Sequence, residues 1–199
     1  KGIEFLFKKN KVVHLKGKGF IINKNQIDVI DELKNKKKYN TKNIVIATGS
    51  VSTSLKNIKI DEKTIVSSTG ALSFEKIPKD LIVIGGGYIG LELSSVWKRL
   101  GSNVTVIEYF DHIISGMDKD ISNEFLKILK KQGINFKLDS KVIDAKLSNG
   151  KVIINFTNNK TAIKEKIQAD KVLMAVGRKP NIGEDIIKLN IKINDQKKI

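Results

Sequence analysis

No cysteine occurs in this chain, which excludes a disulfide framework, thiolate metal ligands and thiol redox chemistry by its own residues. Imidazole is nearly as scarce. His14 and His112 are the only histidines, too few for a histidine-rich metal centre, so no metal is expected. Proline is confined to Pro78 and Pro180. No apolar run approaches the roughly 18 residues that cross a bilayer, and no membrane partner is expected. The opening residues, Lys1-Gly2-Ile3-Glu4, carry neither a signal pattern nor an initiator Met, so the chain reads as a piece of something longer.

Acidic residues are also in short supply: 21 against 37 basic ones, a formal charge of +16. Such an excess invites a nucleic-acid reading. Only Arg99 and Arg178 are arginines, however, and base readout favours arginine forks. The one dense run, Lys34 to Lys38, has no interleaved aromatic residues to act as stacking platforms. The lysines therefore read as solvated faces, and nucleic acid is not an expected partner.

What the chain does have is 199 residues with 40% hydrophobic content, enough to bury a core. Short β-like runs fill the first fifty: "IEFLF", "KVVHL", "GFII" and "QIDVI", then a polar Asp31–Asn40 stretch suited to a hairpin loop, then "NIVIATGS" as an apolar strand. They suggest a small antiparallel meander. Residues 51–80 read as connecting chain with one short helix capped by Ser67, Ser68 or Thr69.

From Leu81 the pattern changes. "LIVI" is a continuous apolar strand of the kind covered on both faces in a parallel sheet. "YIGLELSSVWKRL" follows as a helix with Ile89, Leu93, Val96 and Leu100 on one stripe, and Gly101 supplies a stop. "NVTVIE" is the next strand. "DKDISNEFLKILKKQG" is an amphipathic helix with acids early and lysines late. Then come "INFKL", a hairpin turning at Asn149-Gly150, a third β run and the apolar "VLMAVGR".

"GGGYIG" fits G-x-G-x-x-G at Gly85, Gly87 and Gly90, after a strand and before a helix. Gly85 suits a tight turn, Gly87 a close backbone approach to pyrophosphate at a helix N-terminus, and Gly90 close helix–strand packing. Glu108 lies 23 positions after Gly85, at the end of the second strand. A carboxylate there accepts hydrogen bonds from the adenine-ribose hydroxyls and repels a 2′-phosphate, so NAD is favoured over NADP. Tyr109 and Phe110 offer no arginine to reverse that preference. Glu92 and Tyr88 each remain open between a solvent-facing residue and one facing the nicotinamide.

The stretch from Thr64 to Glu108, with "NIVIATGS" and "VLMAVGRKPN", resembles the dihydrolipoamide dehydrogenase branch of the pyridine nucleotide–disulfide oxidoreductases, and the likeness covers essentially the whole chain. "SSTGAL" and "GLELSSVWKRLG" favour that branch over glutathione or mercuric reductases, and another member of the superfamily, such as an NADH oxidase or a glutathione- or mercuric-reductase-like protein, is the alternative. The resemblance implies an α/β fold in which a Rossmann-like NAD-binding domain, a parallel sheet plus β-meander, is inserted into an FAD domain. Residues 1–50 would be the end of that FAD domain, 51–80 a linker, 81–178 the NAD domain and 179–199 a return segment. It further implies that Gly85, Gly86, Gly87, Tyr88, Ile89, Gly90, Leu91 and Glu92 hold the pyrophosphate and nicotinamide side of NAD. Glu108 would hold the ribose, Val142 would pack near the adenine, and Gly177 would face the cofactor from the opposite wall. Gly19, Thr48, Gly49, Ser50 and Arg178 would border FAD.

The implied reaction is oxidation of dihydrolipoamide, with NAD+ reduced through FAD and a redox disulfide. The implied setting is a homodimer serving the lipoyl domain of a 2-oxo-acid dehydrogenase complex, in the cytoplasm or a mitochondrial matrix. Such enzymes also need an N-terminal FAD fingerprint, a cysteine pair and a His–Glu pair, none of which these residues supply. By itself the chain is therefore expected to contain no catalytic residue and not to retain FAD. A non-catalytic NAD-binding module is the contrasting expectation.

Overall fold

Lysines that repel a docking strand form the edge of a three-stranded meander near the start of the chain. The computed structural model describes residues 2–196, 198 and 199, and these divide into two compact units. One runs up to Ser50 and resumes at Pro180, and the other spans Val51–Lys179.

The first unit opens with helix α1 (Gly2–Lys9), where the sequence suggested a β run at Ile3–Phe7. Glu4 in the first turn and Lys8 and Lys9 in the last complement the helix dipole, and the Asn10 side-chain amide donates to the Leu6 carbonyl. These local signals outweigh the β preference of the isoleucine and phenylalanines. "KVVHL" forms no strand. Strands β1 (Lys18–Asn23), β2 (Gln26–Ile30) and β3 (Lys36–Asn40) follow as an antiparallel meander in that order. The expected Asp31–Asn40 loop is thus half strand: its turn ends at Asn35, whose backbone N–H bonds to Asp31 Oδ1 at 2.8 Å. Lys36, Lys37 and Lys38 on β3 discourage further pairing. Lys36 also reaches the buried Asp28 carboxylate at 2.7 Å. "NIVIATGS" is not a strand before Ser50, because no neighbouring strand takes up its backbone groups, and Val45 is 88% exposed.

Short strands β4 (Ser50–Ser52) and β13 (Arg178–Pro180) pair where the chain enters and leaves the second unit. Between them lie β5 (Ile65–Val66), α2 (Ser68–Ala71), β6 (Asp80–Ile84), α3 (Tyr88–Arg99), β7 (Asn103–Ile107), α4 (Lys119–Lys131), β8 (Asn135–Lys137), β9 (Ser140–Ser148), β10 (Lys151–Asn158), β11 (Lys164–Ala169) and β12 (Lys171–Met174). Ser67 caps α2, its hydroxyl accepting from the Thr69 N–H. Residues 51–80, expected as connecting chain, are folded into this unit and supply its edge strand β5.

Five parallel strands make a sheet in the order β5–β12–β6–β7–β8. Successive residues of β6 serve opposite faces. Leu81 and Val83 join Leu91, Leu93, Trp97 and Leu129 beneath the helices. Ile82 and Ile84 join Val152, Ile154 and Phe156 of the antiparallel sheet β9–β11 on the other side. Each such side chain contributes about 1.5–3 kcal/mol by its removal from water. The β9–β10 turn places Asn149 and Gly150 at φ +50° and +75°, as a two-residue hairpin of the primed type requires.

Helix α3 does not bury the expected stripe. Val96 and Leu100 are about half exposed, and the face against the sheet is Gly90, Leu91, Leu93, Ser94 and Trp97. Small residues at 90 and 94 let the helix approach the strands, and Ser94 satisfies its hydroxyl on the Gly90 carbonyl at 2.6 Å.

Candidate functional site

At the C-terminal ends of β6, β7 and β12 the chain opens a cleft of about 750 Å³, within the range typical of small-molecule sites. Its floor is the turn between β6 and α3. Gly85 has φ +109°, and a Cβ there would run into the Ala175 carbonyl of the adjoining strand end. A Cβ on Gly90 would strike the Gly85 carbonyl, so this glycine is what permits the helix to start so close to the strand. Nothing lies within 4 Å of a Cβ placed on Gly87, the N-cap of α3, so that side of the turn is open space.

The helix start is uncapped. No side chain bonds to it, and among the described residues the amides of Gly87, Tyr88, Ile89 and Gly90 have no hydrogen-bond acceptor. Four free N–H groups and the positive end of the helix dipole are suited to a negatively charged group.

Glu108 closes the cleft at the tip of β7. Its Oε2 accepts from the Gly86 N–H at 2.5 Å and its Oε1 from the Phe110 N–H at 2.9 Å. A carboxylate has about four lone-pair positions, so acceptor capacity remains on both oxygens. The Gly86 amide, by contrast, is used by the protein itself, which leaves anion binding to the four amides that follow. Gly86 is fixed from its other side as well, its carbonyl accepting from Ile114 N at 2.8 Å.

Of the residues singled out in the sequence, Gly85, Gly86, Gly87, Tyr88, Ile89, Glu108, Val142 and Gly177 line this cleft. Tyr88 is 67% exposed at its mouth. Gly90 and Leu91 lie beneath it in the core, and Glu92 sits on the exposed face of α3, outside the lining. Gly177 has φ +115°, and its carbonyl takes the Thr53 N–H at 2.9 Å.

Arg178, assigned to FAD by resemblance, lines the same cleft. The other residues of that group belong to the first unit. Gly19 pairs with Val29 inside the meander. Thr48 and Gly49 form a loop held by Asn181, whose Nδ2 donates to the Thr48 carbonyl at 3.2 Å and whose N–H donates to the Gly49 carbonyl at 2.9 Å. Ser50 opens β4.

Sequence reading passed over several lining residues. Phe110 and Lys141 adjoin Glu108 and Val142, and proximity to those positions was the available signal. Ser52, Leu55 and Ser68 come from residues 51–80, where nothing local marks a binding wall.

The rim beyond Glu108 is aromatic and charged. Tyr109 and Phe110 meet edge to face at 5.3 Å, and Phe110 stacks on His112 at 5.8 Å. The hydrogen bond from His112 holds the Asp111 carboxyl below its usual range, helped by the charge of Lys160. No helix among the described residues is long and apolar enough to cross a membrane, and no cluster of three or more His, Cys, Asp or Glu is placed to hold a metal.

The family described as pyridine nucleotide-disulphide oxidoreductase matches residues 1–199. A dihydrolipoamide dehydrogenase of Chaetomium thermophilum is 48% identical over all of this chain. Mitochondrial dihydrolipoyl dehydrogenases of Dictyostelium discoideum and Homo sapiens are 50% and 48% identical over 90% and 92% of it. The chain spans 40%, 37% and 37% of the lengths of these three relatives. Among solved structures, the Escherichia coli HOCl-induced flavoprotein disulfide reductase RclA shares the fold with a TM-score of 0.82 at 24% identity, over 98% of this chain and 45% of that one. The chain belongs to the pyridine nucleotide-disulphide oxidoreductase family.

Proposed function

We propose that this member of the family binds NAD(H) in the cleft between β6, β7 and β12, and supplies the nicotinamide-nucleotide site of a flavin-dependent dihydrolipoamide dehydrogenase. One observation carries the reading: an uncapped helix N-terminus with four free amides and a carboxylate at the next strand's tip share one cleft. The first suits a pyrophosphate and the second a ribose diol, and the two are adjacent as a dinucleotide needs. The open space at Gly87 fits the close approach of a phosphate.

In this reading the amides of Gly87 to Gly90 take the pyrophosphate charge, and Gly85 sets the turn that aims them. Glu108 accepts from the adenine-ribose hydroxyls with its remaining lone pairs and disfavours a 2′-phosphate. Val142 and Phe110 give apolar surface at the adenosine end. Tyr88 covers the nicotinamide end, with Gly177 on the facing wall. Glu92 acts from the exposed flank of α3. Gly19, Thr48, Gly49, Ser50 and Arg178 border the FAD.

With FAD and a redox disulfide that this chain's residues do not supply, the overall reaction would oxidise a dithiol by two electrons and two protons, reduce NAD+ by a hydride and release one proton, while the residues named here would hold the nucleotide. The proposal carries with it a homodimer, a lipoyl-domain partner and a cytoplasmic or mitochondrial-matrix setting. Residues 1–50 are taken as the end of the FAD-binding domain, 81–178 as the body of the NAD-binding domain with 51–80 adding its edge strand, and 179–199 as the return segment toward the FAD domain. Calorimetric titration of the full-length protein with NADH and NADPH tests the core of the reading. NADH is expected to bind at least about tenfold more tightly. Equal affinities would remove the role of Glu108, and absence of NADH binding would remove the proposal.

A further inference from the structure

We propose that Asn159 is a positioning residue for the adenosine end of the cleft, an inference that rests on the NAD(H) reading above. Asn159 lies 50 residues from Tyr109 in sequence, on the exposed turn between β10 and β11, and does not line the cleft. Its side-chain Nδ2 nevertheless donates to the Tyr109 carbonyl at 2.8 Å. Its backbone N–H bonds to the Asp139 carbonyl at 2.5 Å, and the Asp139 N–H bonds to the Phe110 carbonyl at 2.9 Å.

The turn that presents Asn159 is itself well built. Asn158 Oδ1 accepts from the backbone N–H groups of Lys160 and Thr161 at 3.0 and 2.9 Å. Lys160 reaches Asp139 at 3.0 Å and Asp111 at 3.8 Å, so the turn is tied both to the β8–β9 connection and to the residue after Phe110.

The rim segment Glu108–Tyr109–Phe110 is therefore held from two sides. Glu108 Oε1 holds the Phe110 N–H from within the cleft, while from outside the Asn159 side chain holds the Tyr109 carbonyl and the Asp139 amide, its own carbonyl taken by the Asn159 N–H, holds the Phe110 carbonyl. Exposed loop backbone left to itself samples many conformations, and a ligand must order it on binding. Fixing the carbonyls of residues 109 and 110 sets the direction in which both aromatic rings and the Glu108 carboxylate face. That is preorganisation of the adenosine end by a residue that touches no ligand.

The test uses the full-length protein with two single variants, Asn159→Asp and Asn159→Ala. The first keeps the shape but replaces the donor with a carboxylate facing a carbonyl, and the second removes the side chain. Both changes lie at an exposed position, away from the core. ADP-ribose probes the adenosine end, and reduced nicotinamide mononucleotide probes the other end. Both variants should weaken ADP-ribose about five- to tenfold while nicotinamide mononucleotide binds as in the parent. Unchanged ADP-ribose affinity in both, or an equal loss for both probes, would overturn the inference. Failure of the unaltered protein to bind either ADP-ribose or NADH would instead overturn the NAD(H) reading beneath it.

Discussion

Gly86 and Glu108, 22 residues apart, share a 2.5 Å hydrogen bond from backbone amide to carboxylate. This contact ties the glycine turn after β6 to the tip of β7 and fixes the carboxylate beside the free amides at the start of α3. Charge-assisted hydrogen bonds of this kind are roughly twice as strong as neutral ones. The same side chain thus has a structural partner and spare acceptor capacity for a sugar.

Replacing Glu108 by arginine should lower NADH affinity about ten- to a hundredfold and raise NADPH affinity. The change removes a charged acceptor and supplies a cation for a 2′-phosphate. Titration calorimetry with both nucleotides is the check, and unchanged NADH affinity would count against the ribose assignment.

Gly87→Val should separate binding from folding. The Gly87 backbone is extended, with φ −78° and ψ 175°, and a Cβ there meets open space. Stability should fall by no more than about 1 kcal/mol, the loss expected when valine replaces glycine at a helix N-cap without a clash. NADH affinity should fall more than about tenfold, because the new side chain occupies the pyrophosphate's approach. Urea denaturation and NADH titration on one preparation would show both effects, and normal binding would displace the pyrophosphate from this turn.

Gly85→Ala should do the reverse and damage the fold itself. The residue combines φ +109° with the Ala175 carbonyl in the space a methyl group needs. A cost of about 2–3 kcal/mol is expected from the strain and the forced separation of β6 and β12. A loss of unfolding free energy below about 0.5 kcal/mol in urea denaturation would show that the strand ends can part.

Asp170 links the fold to pH. Its carboxylate accepts the Asp80 backbone N–H at 2.9 Å and lies 3.5 Å from Lys151. The Asp80 hydrogen bond, with the lysine's help, holds its pKa below the usual 3.8. A folded value below the unfolded one means stabilisation that is present above about pH 4 and lost as pH falls through the folded value. Asp170→Asn should therefore cost about 1 kcal/mol at pH 7, a modest figure because the site is partly exposed. That cost should shrink toward pH 2. Urea midpoints at both pH values test it, and a pH-independent difference would place the effect outside ionisation.

The parallel-sheet core was legible because its strands are apolar runs long enough to stand out, and because Gly85, Gly90 and Glu108 occur in fixed relation to them. What misled was local competition. "IEFLF" has strand-forming side chains but also an acid at its start and lysines at its end, and the helix prevailed. The face of α3 was misjudged because Gly90 and Ser94 look polar or neutral in a pattern count, yet their small size is what brings the helix onto the sheet. "NIVIATGS" has the composition of a buried strand, but a strand is a property of its neighbours. The Asn159–Tyr109 contact could not be read at all, since nothing in a turn of polar residues points to a loop 50 positions away.

The two-residue strand β5 has a practical consequence for dissecting the chain. Ile65 and Val66 hydrogen-bond alongside Val172 and Leu173, so the outermost ribbon of the sheet is contributed from well upstream of the glycine motif. A truncation beginning at Leu81 would strip that ribbon away and bare the flank of β12, inviting association between copies. Beginning near Val51 keeps the flank covered and retains the Ser52, Leu55 and Ser68 wall of the cleft.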